Sequence, residues 1–153
     1  MRPRMPSPAM IVPGAFEALQ GLTKAAWQSN LPESVINLVA LRASQINGCS
    51  LCTQAHAREA RATGETEDRL AAVATWRDAP HFTEAERAAL ALAEAVTRIS
   101  DRPDPVSDDV WARAAKHYDA PQLSALLLNL AIINVWNRLN VATRQVAGSP
   151  GYG

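Results

Sequence analysis

The sequence predicts an all-α fold. Almost every segment of the 153 residues spaces its apolar side chains at helical intervals, no run sustains the alternation of a strand, and the one Asn-Gly pair lies between helical runs, not strand-like ones. Apolar residues make up 48% of the chain and charged residues 20%, the balance of an ordinary globular protein with a core of its own.

About six to seven helices can be read in order. Residues 15–29 set Phe16, Leu19, Leu22 and Ala26 on one face of a first helix. The break at "NLPES" holds a proline suited to a helix start, and Glu33 to Ile46 forms the second. Asn47-Gly48 interrupts the pattern. A third helix begins at about Cys49 and ends near Gly64, and a fourth runs from Thr66 to Trp76. Thr83 followed by Glu86 reads as a capping box opening a fifth helix, Glu84 to about Ile99. After the proline-rich "SDRPDPVS", Ser107 caps a sixth helix through Tyr118, and Pro121 starts a long last helix to about Val146.

Residues 1–153 read as a single domain, with 1–13 and 147–153 as loose tails. The last helix is apolar nearly all round between Leu123 and Val135, which points to a subunit interface. Trp27, Trp76, Trp111 and Trp136 read as core or interface anchors. Glu86, Arg87, Asn134 and Arg138 read as buried polar links that satisfy one another, and Arg42 as an exposed or salt-bridged arginine rather than one facing the cysteines.

Charge narrows the function. Fifteen basic residues balance fifteen acidic ones, without the basic excess of a nucleic-acid binder. The N-terminal residues have no apolar run of signal-peptide length, and the most apolar stretch, Ala125 to Trp136, is short of a membrane span. A cytoplasmic protein with no membrane or nucleic-acid partner is expected. Thiols there are kept reduced, so a close cysteine pair points to catalysis, redox chemistry or metal binding.

That pair lies in "CSLCTQAH", which holds both cysteines and one of the three histidines. Cys49, Cys52 and His56 fall at i, i+3 and i+7, within an arc of roughly 60° on one helical face. The Cα atoms of an i, i+3 pair lie about 5 Å apart, within reach of a disulfide. With Asn47 as the cap, Cys49 stands in the first turn, where unpaired N–H groups and the helix dipole stabilise a thiolate. His56, four residues past Cys52, can take that thiol's proton. The dipole favours Cys49 and the histidine favours Cys52, so spacing leaves the nucleophile open. A zinc site would need a fourth ligand, and His81 and His117 read as loop and helix-end residues. Core filling does not account for the shared face.

The run from "LVALRASQINGCSLCTQAHAREA" through "FTEAERAALALAEAVT", with the closing "IINVWNR", resembles the AhpD-like members of the carboxymuconolactone decarboxylase family. The resemblance implies an all-helical subunit in a homo-oligomer, a trimer or hexamer. It also implies a thiol peroxidase that reduces alkyl or hydrogen peroxide with no metal, haem or flavin cofactor. In its terms Cys52 is peroxidatic, Cys49 resolves the sulfenic acid, and His56 belongs to a proton relay. An external dithiol or reductase system regenerates the pair. Two positions depart from the pattern: Asn37 stands where the family has a relay glutamate, and Leu51 where AhpD itself has a histidine. Glu33, one turn before Asn37, is a carboxylate that either assists the site or stabilises the start of its helix. The rival readings are a non-enzymatic redox sensor, lactone chemistry of the decarboxylase type, and a zinc-binding module.

Overall fold

The structure is a computed structural model, and it describes residues 2–148. These residues form eight α-helices and no strand. The helices are α1 (Pro8–Ile11), α2 (Ala15–Ala26), α3 (Glu33–Ile46), α4 (Ser50–Ala62), α5 (Glu67–Ala72), α6 (Glu84–Thr97), α7 (Asp108–His117) and α8 (Ala120–Thr143); a 3-10 turn, Val73–Thr75, follows α5.

Local chemistry sets most boundaries. Thr66, Thr83, Ser107 and Asp119 each accept a hydrogen bond from the backbone N–H three residues on, which satisfies an otherwise orphan donor of the first turn. At Thr83 and Asp119 the bond is reciprocated by Glu86 and Gln122, forming full capping boxes. Gly64, at φ +97°, lies just past α4, where the chain needs a left-handed residue to turn away.

The core is arranged around α3. It is buried from Val35 to Leu41 without a break, because α4, α6 and α8 pack on it from different sides. Small residues on α6, Ala89 and Ala93, admit Leu126 and Leu130 of α8 and Val39 of α3 to one cluster. A second cluster joins Leu38 and Leu41 to Leu70, Val73, Trp76 and Phe82 beneath the α5 segment.

The reading of the N-terminal tail changes, and that of α8 gains an account within the chain. Residues 8–11 form a helix instead of lying in a loose tail. The segment before it is tied to the end of α8 by Arg4 N–H to the Thr143 carbonyl (2.9 Å) and by Gln145 Nε2 to the Met5 carbonyl (2.9 Å). Of the tail expected over 147–153, residues 149–153 lie outside the described residues. The all-round apolar character of α8 is largely explained inside the chain, where it packs on α2, α3, α4, α6 and α7; Leu128, Val135 and Val141 stay exposed. By length and composition α8 could cross a membrane, but its buried Asn129, Asn134, Asn137 and Asn140 bond within the chain as part of a core helix.

Among the tryptophans, Trp76 is buried, whereas Trp27 and Trp111 are exposed. Asn134 and Arg138 do bond each other, at 2.9 Å. Glu86 pairs instead with Arg69 (2.5 Å), and Arg87 donates to the carbonyls of Trp76, Arg77, Ala79 and Phe82, stapling the loop before α6.

Candidate functional site

The site begins where α3 stops. Asn47 is the C-cap of α3, not the N-cap of the next helix, and its Nδ2 donates to Asn134 Oδ1 (3.0 Å) and Asn137 Oδ1 (2.8 Å) of α8. Gly48 takes φ +68° and reverses the chain, and Cys49 itself caps α4. The Cys49 sulfur accepts the Cys52 N–H at 3.2 Å, which places both sulfurs in the positive first turn of α4. The dipole therefore does not separate the two cysteines.

Exposure to a cavity does. Cys49 and Cys52 form a disulfide with Cα atoms 5.3 Å apart, and both are almost fully buried. Cys52 lines a cavity of about 690 Å³ bordered by α2, α3, α4 and α8, whereas Cys49, packed in the same apolar cluster with Ala43, is not part of its wall. Phe16, Trp27, Ile36, Ile132 and Trp136 give the cavity apolar walls. Phe16 meets Trp136 edge-on at 6.1 Å, and Trp27 Nε1 donates to Asn129 Oδ1 at 3.1 Å, fixing α2 against α8.

His56 lines the same cavity one turn beyond Cys52, as does Glu59. Their side chains meet at 2.7 Å, Nδ1 to Oε2. The hydrogen bond from His56 is the main reason the Glu59 carboxyl lies below its usual range, against the opposing effect of burial. Glu59 thus stays ionised and accepts the Nδ1–H, which leaves Nε2 as the imidazole nitrogen able to exchange a proton.

Of the two departures from the family pattern, both Asn37 and Leu51 line the cavity. Asn37 is buried, and its Nδ2 donates to Thr63 Oγ1 at 3.1 Å, which ties α3 to the end of α4. Glu33 is exposed in the first turn of α3 and is not part of the cavity wall, so the structure keeps it apart from the cysteines. Among the described residues no group of three or more His, Cys, Asp or Glu is arranged to hold a metal ion.

Two site residues escaped the sequence reading. Glu59 had a legible signal, since it falls three residues after His56 on the same helix, the spacing at which side chains meet. Asn140 had none: it comes from α8, and its Nδ2 approaches the Cys52 sulfur at 3.4 Å across 88 positions of sequence.

Comparison with known proteins supplies a family and a fold. The model of the carboxymuconolactone decarboxylase family matches residues 13–95, which include the cysteine motif and stop before α7. The chain is 34% identical over 139 residues to the uncharacterised protein YdfG of Bacillus subtilis, covering 91% of this chain and 93% of that one. It is 35% identical over 115 residues to the uncharacterised protein YnjA of Escherichia coli, covering 75% and 62%. A solved structure from Agrobacterium tumefaciens superposes with a TM-score of 0.89 at 32% identity, over 97% of this chain and 99% of that one. That protein is of unknown function and provisionally ascribed to AhpD-type antioxidant defence.

Proposed function

The chain belongs to the carboxymuconolactone decarboxylase family, in its AhpD-like branch, and from that premise we propose that it is a thiol-dependent peroxidase acting in antioxidant defence. The observation that carries the reading is the division of the cysteine pair: Cys52 opens on the cavity and Cys49 backs it at disulfide distance. A nucleophile must meet substrate, whereas a resolving thiol needs to meet only the nucleophile.

The Cys52 thiolate attacks the terminal oxygen of a hydroperoxide. The S–O bond forms, the O–O bond breaks, and the departing alkoxide takes a proton from the His56 imidazolium. The products are an alcohol and Cys52 sulfenic acid. The Cys49 thiolate then attacks the Cys52 sulfur, closing the S–S bond and expelling hydroxide, which leaves as water once protonated. An external dithiol supplies two electrons to reopen the pair. Glu59 acts through His56, holding the ring by the Nδ1–H bond so that Nε2 is turned to the proton transfer. It supplies the carboxylate that Asn37, which cannot accept a proton in the working range, does not.

A cavity of about 690 Å³ with apolar walls is far larger than hydrogen peroxide requires and suits a hydroperoxide with an apolar body. On this reading the chain works in the cytoplasm as a homo-oligomer, a trimer or hexamer, with no cofactor and an outside reductant. The test is consumption of cumene hydroperoxide and of hydrogen peroxide in the presence of excess dithiol, comparing wild type with Cys52→Ser. Turnover by the wild type, faster with cumene hydroperoxide and reduced to background by Cys52→Ser, is the expected result. Unchanged consumption in Cys52→Ser would falsify the mechanism.

A further inference from the structure

Three buried side-chain polar atoms of the described residues have no hydrogen-bond partner: Ser7 Oγ, Gln45 Oε1 and Asn140 Oδ1. Buried orphans are uncommon enough that each calls for a physical reason. Asn140 alone among these residues lines the cavity, and it is 4% exposed. Its other amide end is engaged, Nδ2 donating to the Cys52 sulfur at 3.4 Å.

The orientation of this amide follows from the chemistry of its partner. A disulfide sulfur carries no hydrogen, so only the N–H2 end of an amide can bond to it. That leaves the carbonyl end buried beside the reacting atom with nothing to accept. We propose that Asn140 is a further catalytic residue that serves two states of Cys52 with its two amide ends. Nδ2–H2 donates to the sulfur when Cys52 is a thiolate, and Oδ1 accepts the hydroxyl hydrogen when Cys52 is a sulfenic acid. The second half rests on the peroxidase reading above, and the first does not.

The two halves fit one cycle. Before attack, a hydrogen bond to the thiolate favours the charged form and lowers the thiol pKa. After attack, S–O has formed and O–O has broken, and the new S–O–H group is the only hydrogen donor that the chemistry places on that sulfur. Oδ1 holds it until the Cys49 thiolate displaces the oxygen as hydroxide. In the disulfide that donor is gone and Oδ1 is unpartnered, which is the arrangement observed.

The test uses Cys49→Ser protein, in which Cys52 is the sole thiol, with and without Asn140→Asp or Asn140→Ala. The rate of alkylation by iodoacetamide is followed from pH 5 to 10 to obtain the apparent Cys52 pKa. Asn140→Asp keeps the size of the side chain but replaces the donor with an anionic acceptor. It is expected to raise that pKa and slow alkylation at neutral pH by about tenfold, with a smaller effect for Asn140→Ala. A profile that coincides with the parent in a folded Asn140→Asp protein overturns the assignment. Should neither variant fold, the side-chain amide signals of Asn140 in 15N-labelled wild-type protein decide it. They must shift as the thiol of Cys52 titrates, and a lack of response overturns the assignment. The sulfenic half is read by dimedone trapping after one equivalent of cumene hydroperoxide. Asn140→Ala is expected to shorten the life of the trappable species several-fold, and an equal lifetime overturns that half. The alkylation profile decides the thiolate contact whether or not the wild type turns over peroxide, so the failure of one reading is distinguishable from failure of the other.

Discussion

The helix α3 borders two polar clusters that obey opposite rules. On one side, Glu94 of α6 is buried and fully matched. Arg42 Nη2 and Arg77 Nη2 each approach its carboxylate at 2.7 Å, and Trp76 Nε1 donates at 3.0 Å. Burial alone would push its carboxyl up, but the hydrogen bonds from Arg77, Trp76 and Arg42 outweigh it and hold its pKa at about 2. On the other side lie Cys52, His56, Glu59 and Asn140, where one buried acceptor is unmet and a cavity adjoins the groups. A closed network tethers elements to one another, whereas an open one keeps capacity for a partner that comes and goes. The difference separates architecture from chemistry in two clusters that are alike in being polar.

Each cluster can be broken separately. Removing the resolving thiol is expected to have the largest effect on chemistry. Cys49→Ser should consume about one or two peroxides per chain and then stall, with turnover down by roughly a hundredfold or more. Mass spectrometry would show one or two added oxygens on Cys52; sustained turnover would show that Cys49 is dispensable.

The largest effect on stability belongs to the closed cluster. Glu94→Gln leaves the half-buried Arg42 without its counter-charge and should cost about 3 kcal/mol in denaturant unfolding. The alkylation rate of Cys52 should stay near wild type in the same protein. A large change in that rate with little loss of stability would erase the distinction between the two clusters.

A smaller effect is expected at Glu59, which acts only through His56. Glu59→Gln should slow peroxide consumption by about tenfold and shift its acidic limb, while Cys52 still forms the disulfide. An unaltered pH profile would remove Glu59 from the relay.

The smallest effect is a matter of pH. The folded pKa of Glu94 lies below the usual carboxylate value of 4.5, so the unfolded chain binds this proton more readily. Its contribution to stability is therefore complete above about pH 4.5 and is lost as the pH falls through that value toward 2. Acid titrations of the melting temperature should show a decline in that window that is smaller in Glu94→Gln.

Much of this was legible before any coordinates. The dithiol, its histidine, the helical class and the Thr83 capping box are local patterns, set by spacings of three, four and seven residues. Glu59 was equally local, three residues from His56 on the same helix. Asn140 was not local. One asparagine among several on α8 carries no mark of the sulfur 88 positions away. The packing of α8 was not local either: an all-round apolar helix reads alike whether it faces another subunit or the middle of its own chain.

The sequence by itself determined the helices after α1 and the reactive motif, because turn chemistry and helical periodicity act over a few residues. Tertiary structure decided which cysteine meets the cavity, because that depends on where α2 and α8 close over α4. It also decided that Glu33 stays in solvent while Asn140 reaches the sulfur. Both follow from how helices distant in sequence pack around α3, and that packing is a property of the whole core rather than of any stretch within it.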